Sequence, residues 1–377
     1  MAGFGKDSSI NRRDFFRRGA AAAAGMAAVG TGFGSAMAAD ELTVNGLPAV
    51  MFGNTGLKVT KVSFGGIMIT EPPVLLRAID QGINLVHTSP GYQNGRSIEA
   101  FGKAMKTHRD KVVLALKVRP DELDKWLKVL NTDYVDMLVP PLTSIKAISD
   151  PTIPEAFEKA KAAGKVGHMG FACHKNMTTV LNKAVDLGYY EVSLMAYADS
   201  DNPEFLAAAK RAVDGGMGIM TMKGLPKRGA EINSPEQKAD FTSRCASMIG
   251  DGHAHTVLAS MGSFQSVDFY RDMLETKLGH FDSDLERRYW AAQDGNYCSM
   301  CGKCTGICPN GVEIRRIMRY KMYNTDYGMT DYARAKYAAL DSGCNGASCD
   351  QCGLCETICK RHLPVREMLS EAHATLA

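Results

Sequence analysis

The sequence predicts an α/β fold: a (β/α)8 TIM barrel followed by a small C-terminal helical domain built around cysteines. Three observations predict it. From Lys58 to Leu278, eight short apolar, β-rich runs alternate with amphipathic helical stretches. No G-x-G-x-x-G follows the first run, which argues against an open doubly wound sheet. Eight of the eleven cysteines then fall near the C-terminus, in two copies of one spacing.

The eight runs are VTKVSF, INLVHT, VVLALKV, YVDMLV, GHMGFA, EVSLMAY, GIMTM and HTVLAS. Each is short, largely apolar and bounded by polar or glycine-containing segments, as buried parallel strands are. PPVLLRAIDQG, SIEAFGKAMKT, DELDKWLKVLN and PEAFEKAKAAG show the helical period between them. After the seventh run, the polar stretch from Glu231 to Asp240 reads as a loop over the barrel mouth. Helix resumes in SVDFYRDMLETK and FDSDLERRYW, and again in EIRRIMRYKMYN and TDYARAKYAAL. The tyrosines of those last segments read as packing residues. The expected organisation is a leader over 1–38, the barrel over 48–280 and the cysteine domain over 285–377.

Cys298, Cys301, Cys304 and Cys308 read C-x2-C-x2-C-x3-C-P, and Cys349, Cys352, Cys355 and Cys359 repeat the spacing without the proline. This is the ligand pattern of two [4Fe–4S] clusters. Three cysteines at this spacing wrap one loop around three irons, and the fourth thiolate comes from elsewhere. In two-cluster ferredoxins it comes from the other run. By that analogy Cys359 completes the set of Cys298, Cys301 and Cys304, and Cys308 completes the set of Cys349, Cys352 and Cys355. Gly302, Gly306 and Gly353 let backbone amides approach the cluster. Zinc is the competing reading, but it usually takes C-x2-C pairs from separate knuckles. Disulfides are poorly served by such close triplets. Cys344 is an alternative ligand; Cys173 and Cys245 read as small buried residues.

Residues Asn11 to Arg17, with Arg12-Arg13 and Phe15-Phe16, resemble the twin-arginine export motif. An alanine- and glycine-rich stretch follows, then Ala36-Met37-Ala38, an A-x-A cleavage site with cleavage expected after Ala38. The stretch is too short and glycine-rich for a stable membrane span. That route carries folded proteins, which suits clusters inserted before export. The implied location is the periplasm, with the twin-arginine translocon as a transient partner. The leader's five basic and two acidic residues carry the whole net charge of +3. The remainder is formally neutral, with no basic stripe for nucleic acid and no further segment of membrane-spanning length.

Further segments carry a family resemblance. MFGNTGLKVTKVSFGG and AIDQGINLVHTSPGYQNGRSIEAFGKAM resemble the opening of aldo-keto reductases. KVVLALKV, TDYVDMLV, AAGKVGHMGFACH and MGIMTMKGLPKRG continue the likeness in order. The block through SCDQCGLCETICKRHLPVREML resembles the subgroup with a fused ferredoxin-like tail. The resemblance implies carbonyl chemistry with NADPH, a tyrosine proton donor, and a lysine, an aspartate and a histidine beside it. Tyr92 and Lys117 match the tyrosine and the lysine. A neighbouring ammonium makes a phenol a workable acid. The aspartate position is His87, a proton carrier near neutral pH or a hydrogen-bonded structural histidine. The histidine position falls on Pro141.

The cofactor pocket departs from the family pattern as well. Ala172-Cys173 stands where the family presents serine and asparagine or threonine, and His174 follows. Tyr197 offers a ring for stacking, and Lys223 and Gly229 retain part of the phosphate-facing loop. No Arg-x-x-Glu-Asn follows the eighth run, where Ser266, Phe269 and Tyr270 fall. These losses, and a periplasm without a maintained NADPH pool, put NADP(H) in doubt. Two kinds of function follow. One is an enzyme that passes electrons between a small-molecule substrate at the barrel mouth and a periplasmic carrier or redox partner subunit. The other is an electron-transfer subunit whose barrel is a vestigial docking scaffold. An exported NADPH reductase is a weaker third.

Overall fold

The computed structural model of the protein describes residues 42–197, 202–224, 235–250, 252–275, 291, 295 and 297–377. The leader and its cleavage site lie outside the described residues, as do Gly229, the segment FDSDLERRYW and the boundary at 280–285.

The chain first forms a small antiparallel sheet from β1 (Thr43–Val44), β2 (Leu47–Met51) and β3 (Lys58–Thr60). Eight strands then close into a parallel barrel: β4 (Val62–Gly65), β5 (Leu85–Thr88), β6 (Val113–Leu116), β7 (Val135–Leu138), β8 (Val166–Cys173), β9 (Val192–Ala196), β10 (Gly218–Met222) and β11 (Thr256–Ser260). β11 pairs back onto β4, with Val257 opposite Val62, so the barrel itself has no open edge. Each barrel strand lies within, or overlaps, one of the eight apolar runs.

Two sequence readings need correction. VTKVSF is not one strand. Its first part belongs to β3 and its second to β4, and the turn at Lys61 separates the antiparallel sheet from the barrel. The polar stretch Glu231–Asp240 is not wholly a loop, because a helix begins at Pro235 and runs to Gly250. Proline suits a first helical turn, where its missing N–H costs nothing.

The core follows from the apolar runs. Phe64, Val86, Leu114, Met137, Phe171, Leu194 and Met220 are all buried. One buried charge needs explanation. Asp136 on β7 is almost wholly enclosed, and it accepts 2.8 Å bonds from Arg109 Nη2 and the Leu114 amide. Arg109 in turn lies over the Tyr134 ring at 3.8 Å. A paired, hydrogen-bonded carboxylate is the only kind a core tolerates. Gly102, in the helix Arg96–His108, is forced by packing: a Cβ there would run into the Val129 carbonyl.

A second apolar core forms beyond residue 297. Helices Ile314–Thr325, Thr330–Ala338 and Val365–Leu376 pack around Ile317, Met318, Tyr332, Ala333 and Leu369. The helical segments expected there are therefore observed. Ile67 and Met68, just past β4, pack against this second core. Tyr332 donates its hydroxyl proton to the Gly91 carbonyl in the loop after β5. The helical unit thus sits on the C-terminal ends of the barrel strands, where barrel enzymes keep their chemistry. Among the described residues no helix is long and apolar enough to cross a membrane.

Candidate active site and cysteine groups

A cavity of about 230 Å³ opens at the C-terminal ends of the strands. Its floor is barrel: His87 ends β5, Lys117 follows β6, His174 follows β8 and Lys223 follows β10. Its roof is the helical unit, which contributes Arg319, Tyr323, Tyr327, Tyr332 and Lys336.

Local backbone explains how Tyr92 is aimed. Its amide donates to the Ser89 carbonyl at 3.0 Å. Gln93 and Asn94 then both adopt left-handed φ, 50° and 54°, before Gly95. Two successive non-glycine residues in that region store strain, which is commonest at functional sites. Lys223 is also left-handed, at φ 58°. Lys117 is held by its own main chain: its amide donates to the Thr88 carbonyl and its carbonyl accepts from Ser89 Oγ, both at 3.0 Å.

These turns bring Lys117 Nζ to 2.9 Å from the Tyr92 hydroxyl. The His87 ring lies edge-on to Tyr92 at 5.7 Å. The three residues singled out as a catalytic group therefore meet in one cavity. Their electrostatics differ from the sequence reading. Burial holds the Tyr92 phenol above its ordinary value, and the opposing pull comes from the Arg319 guanidinium. Burial, then the charge of Arg319, brings Lys117 down to about 7. Burial, then Lys117, drives His87 well below its ordinary value. His87 is thus a neutral imidazole, not a proton carrier near neutral pH. Neither is it a hydrogen-bonded structural histidine, since both ring nitrogens lack a partner.

The sign of the pH dependence follows. Tyr92 stays protonated through neutrality, whereas Lys117 is charged below pH 7 and neutral above it. Proton donation by Tyr92 needs the charged lysine to stabilise the phenolate left behind. Turnover in the reductive direction should fall about tenfold per pH unit above pH 7. A pH–rate profile rising with pH through that range would contradict this assignment.

Other expected site residues are placed differently. Tyr197 is buried, its ring edge-on to Phe205 at 5.3 Å, and it does not line the cavity. It offers no stacking surface there, because the β9 end turns it into the core. Pro141 is exposed and bridges to Ala172. Phe269 packs with Phe241 and Tyr270. Neither fills the mouth. The roof was missed by sequence reasoning, although a signal was present: Arg315, Arg319 and Tyr323 recur every four residues on one helical face.

Residues 71–226 match the family model described as the aldo/keto reductase family. This part of the chain is similar to the aldo/keto reductase family. Two relatives illustrate the likeness. Aldo-keto reductase YhdN of Bacillus subtilis is 29% identical, over 31% of this chain and 44% of that protein. Methylglyoxal reductase YeaE of Escherichia coli is 30% identical, over 27% of this chain and 38% of that protein. The chain thus spans less than half the length of these relatives. Among solved structures, aldo-keto reductase AKR11C1 of Bacillus halodurans in its holo form superposes with a TM-score of 0.51 at 18% identity, covering 64% of this chain and 94% of that one. An aldo/keto reductase from Brucella melitensis gives 0.50 at 17%, covering 65% and 97%. Both likenesses concern the fold.

Beyond the residues matched by the family model, the eight motif cysteines fall into two sets of four. Cys301, Cys304 and Cys359 lie close enough to Cys298 to disfavour its thiolate; with burial as the larger cause, Cys298 is pushed up to about 12. Burial, then Cys301, likewise pushes Cys304 up to about 11, with Cys359 contributing. Cys308, Cys349, Cys352 and Cys355 line a second, small cavity. The two runs share a backbone signature. Met300 and Gly302 have φ of 59° and 85°, and Gln351 and Gly353, at the same places in the second run, have 62° and 80°. Left-handed residues within such loops turn successive amides inward, the concavity that receives anionic iron–sulfur centres. Cys344 lies outside the second cavity, and Cys173 and Cys245 are buried.

Among the described residues no group of three or more His, Cys, Asp or Glu side chains is drawn together tightly enough for a single metal ion. A four-iron cubane spreads its thiolates farther apart than one ion does. Four neighbouring thiols would repel one another once ionised, so they need a multivalent cationic centre to ionise together. The donor set fits a cubane.

Proposed function

We propose that the protein is an iron–sulfur oxidoreductase of the aldo/keto reductase kind. It exchanges electrons between a small substrate at the barrel mouth and a periplasmic carrier or redox partner subunit. Cys298, Cys301, Cys304 and Cys359 would hold one [4Fe–4S] cluster, and Cys349, Cys352, Cys355 and Cys308 the other. When bound, these clusters supply one-electron exchange. The observation that carries the reading is the position of the first cysteine group. Burial holds Lys223, a wall of the mouth cavity, well below its ordinary value, and Cys298 is near enough to oppose that shift. Gly302, inside the same run, packs beside Lys175 and Arg315. Cys352, in the other group, is exposed, which suits contact with a carrier.

The protein's own side chains supply the rest. Tyr92 moves a proton to or from the substrate, Lys117 stabilises the phenolate, and the tyrosines of the roof restrict water. The Tyr92–Lys117 contact in an open cavity favours an enzyme over a vestigial scaffold. A cavity of about 230 Å³ lies below the roughly 300–1,000 Å³ of ordinary ligand pockets. It suits a small molecule better than a dinucleotide. The twin-arginine leader supports assembly of the clusters before export.

Purification from the exported fraction tests this reading. The mature chain should begin near Ala39, carry about eight irons with matching sulfide, and show no saturable NADPH binding below the millimolar range. One bound zinc in place of iron, or tight NADPH binding, would overturn it.

A further inference from the structure

The walls of the mouth cavity carry an unusual charge distribution. Lys117, Lys223, Arg319 and Lys336 all line it, with His87 and His174, and no aspartate or glutamate among the described residues does. The cations are close enough to oppose one another. Arg319 opposes the charge of Lys117, after burial. Burial first, then Lys117, Lys223 and Arg319, drives His174 well below its ordinary value. Two further groups await a partner. His87 is wholly buried with both nitrogens unpaired, and Arg319 Nε is buried without an acceptor.

Several like charges around a half-enclosed cavity cost free energy unless something negative enters. Arg319 stands on the roof helix Ile314–Thr325, and Lys223 Nζ lies 5.5 Å from the ring of Tyr323 on that same helix. The Arg319 guanidinium lies near enough to Tyr323 to oppose the rise that burial gives its phenol. A planar guanidinium and an ammonium near one tyrosine suit a carboxylate. The carboxylate's neighbour would then face the Tyr92 hydroxyl and Lys117.

We infer that the mouth cavity selects a small carbonyl compound, or the matching alcohol, that carries a carboxylate, and that Arg319 and Lys223 seat that carboxylate. The inference rests on the reading of this cavity as the substrate site. It adds the substrate's charge and makes the helical unit part of the recognition surface. An arginine about sixty residues beyond β11, by the count from Ser260 to Arg319, would then decide what the barrel accepts.

The test is a calorimetric titration of holoprotein with phenylglyoxylate and, separately, with its methyl ester. The flat ring suits the tyrosine roof, and the two probes differ in one charge. The acid should bind at least about tenfold more tightly than the ester, with an advantage that shrinks as salt rises. Arg319→Gln and Lys223→Gln should each remove most of that advantage while leaving ester binding and iron content as in the parent. Equal binding of acid and ester, binding of neither, or an acid preference that survives in both variants would overturn the inference. Acid-selective binding by protein that proves to hold no iron would sustain it and sink the electron-transfer reading. Iron-replete protein that cannot tell acid from ester would do the reverse.

Discussion

Replacing Tyr92 by phenylalanine should reduce turnover by about 10²–10⁴-fold, the largest effect of any single conservative change. Among the described residues the phenol is the one hydroxyl that Lys117 Nζ donates to, at 2.9 Å. Phenylalanine keeps the ring that meets His87 edge-on and removes only the exchangeable proton. The cysteine groups do not contact it, so iron content and reduction by dithionite should match the parent. That combination separates a proton-transfer role from a packing role. Unchanged turnover would remove Tyr92 as the proton donor and would revive the vestigial-barrel reading. Folding should survive, because Tyr92 makes no other side-chain hydrogen bond among those described and its ring contacts remain.

The second large effect concerns Cys359. It lies at the end of the second run yet sits with Cys298, Cys301 and Cys304. Cys359→Ala should therefore damage the group beside the mouth rather than the group of its own run. Iron should fall from about eight to about four per chain, and turnover should fall to background, because the group facing Lys223 is the one lost. Cys344→Ala should keep about eight. Loss of iron in Cys344→Ala with retention in Cys359→Ala would reassign the fourth ligand.

The barrel was legible because its strands are buried on both faces. INLVHT, VVLALKV and GIMTM are apolar runs that no exposed segment resembles, and each contains its strand. The join at VTKVSF was not legible, since Lys61 interrupts neither the apolar pattern nor the β preference on either side. The meeting of Tyr92 with Lys117 was accessible through the family resemblance, as both follow adjacent strands at the same end of the barrel. Their proton affinities were not, because burial and Arg319 set them, and Arg319 comes from a helix about two hundred residues away. The same distance hid the roof. Its tyrosines were expected to pack, and Tyr337 does, bonding to the Gly346 amide at 2.8 Å. Tyr323, Tyr327 and Tyr332 instead enclose the cavity. Tyr197 shows the opposite failure: its position after β9 is right for a cofactor platform, but its ring turns inward onto Phe205.

The central claim is that the barrel mouth exchanges electrons by way of two cubane clusters rather than by hydride from a nicotinamide. EPR-monitored reduction of the holoprotein tests it most directly, with reduced methyl viologen compared against NADPH. The account predicts about two reduced-cluster spins per chain with the one-electron donor and none with NADPH. Efficient cluster reduction by NADPH, or no cluster signal with either donor, would contradict it.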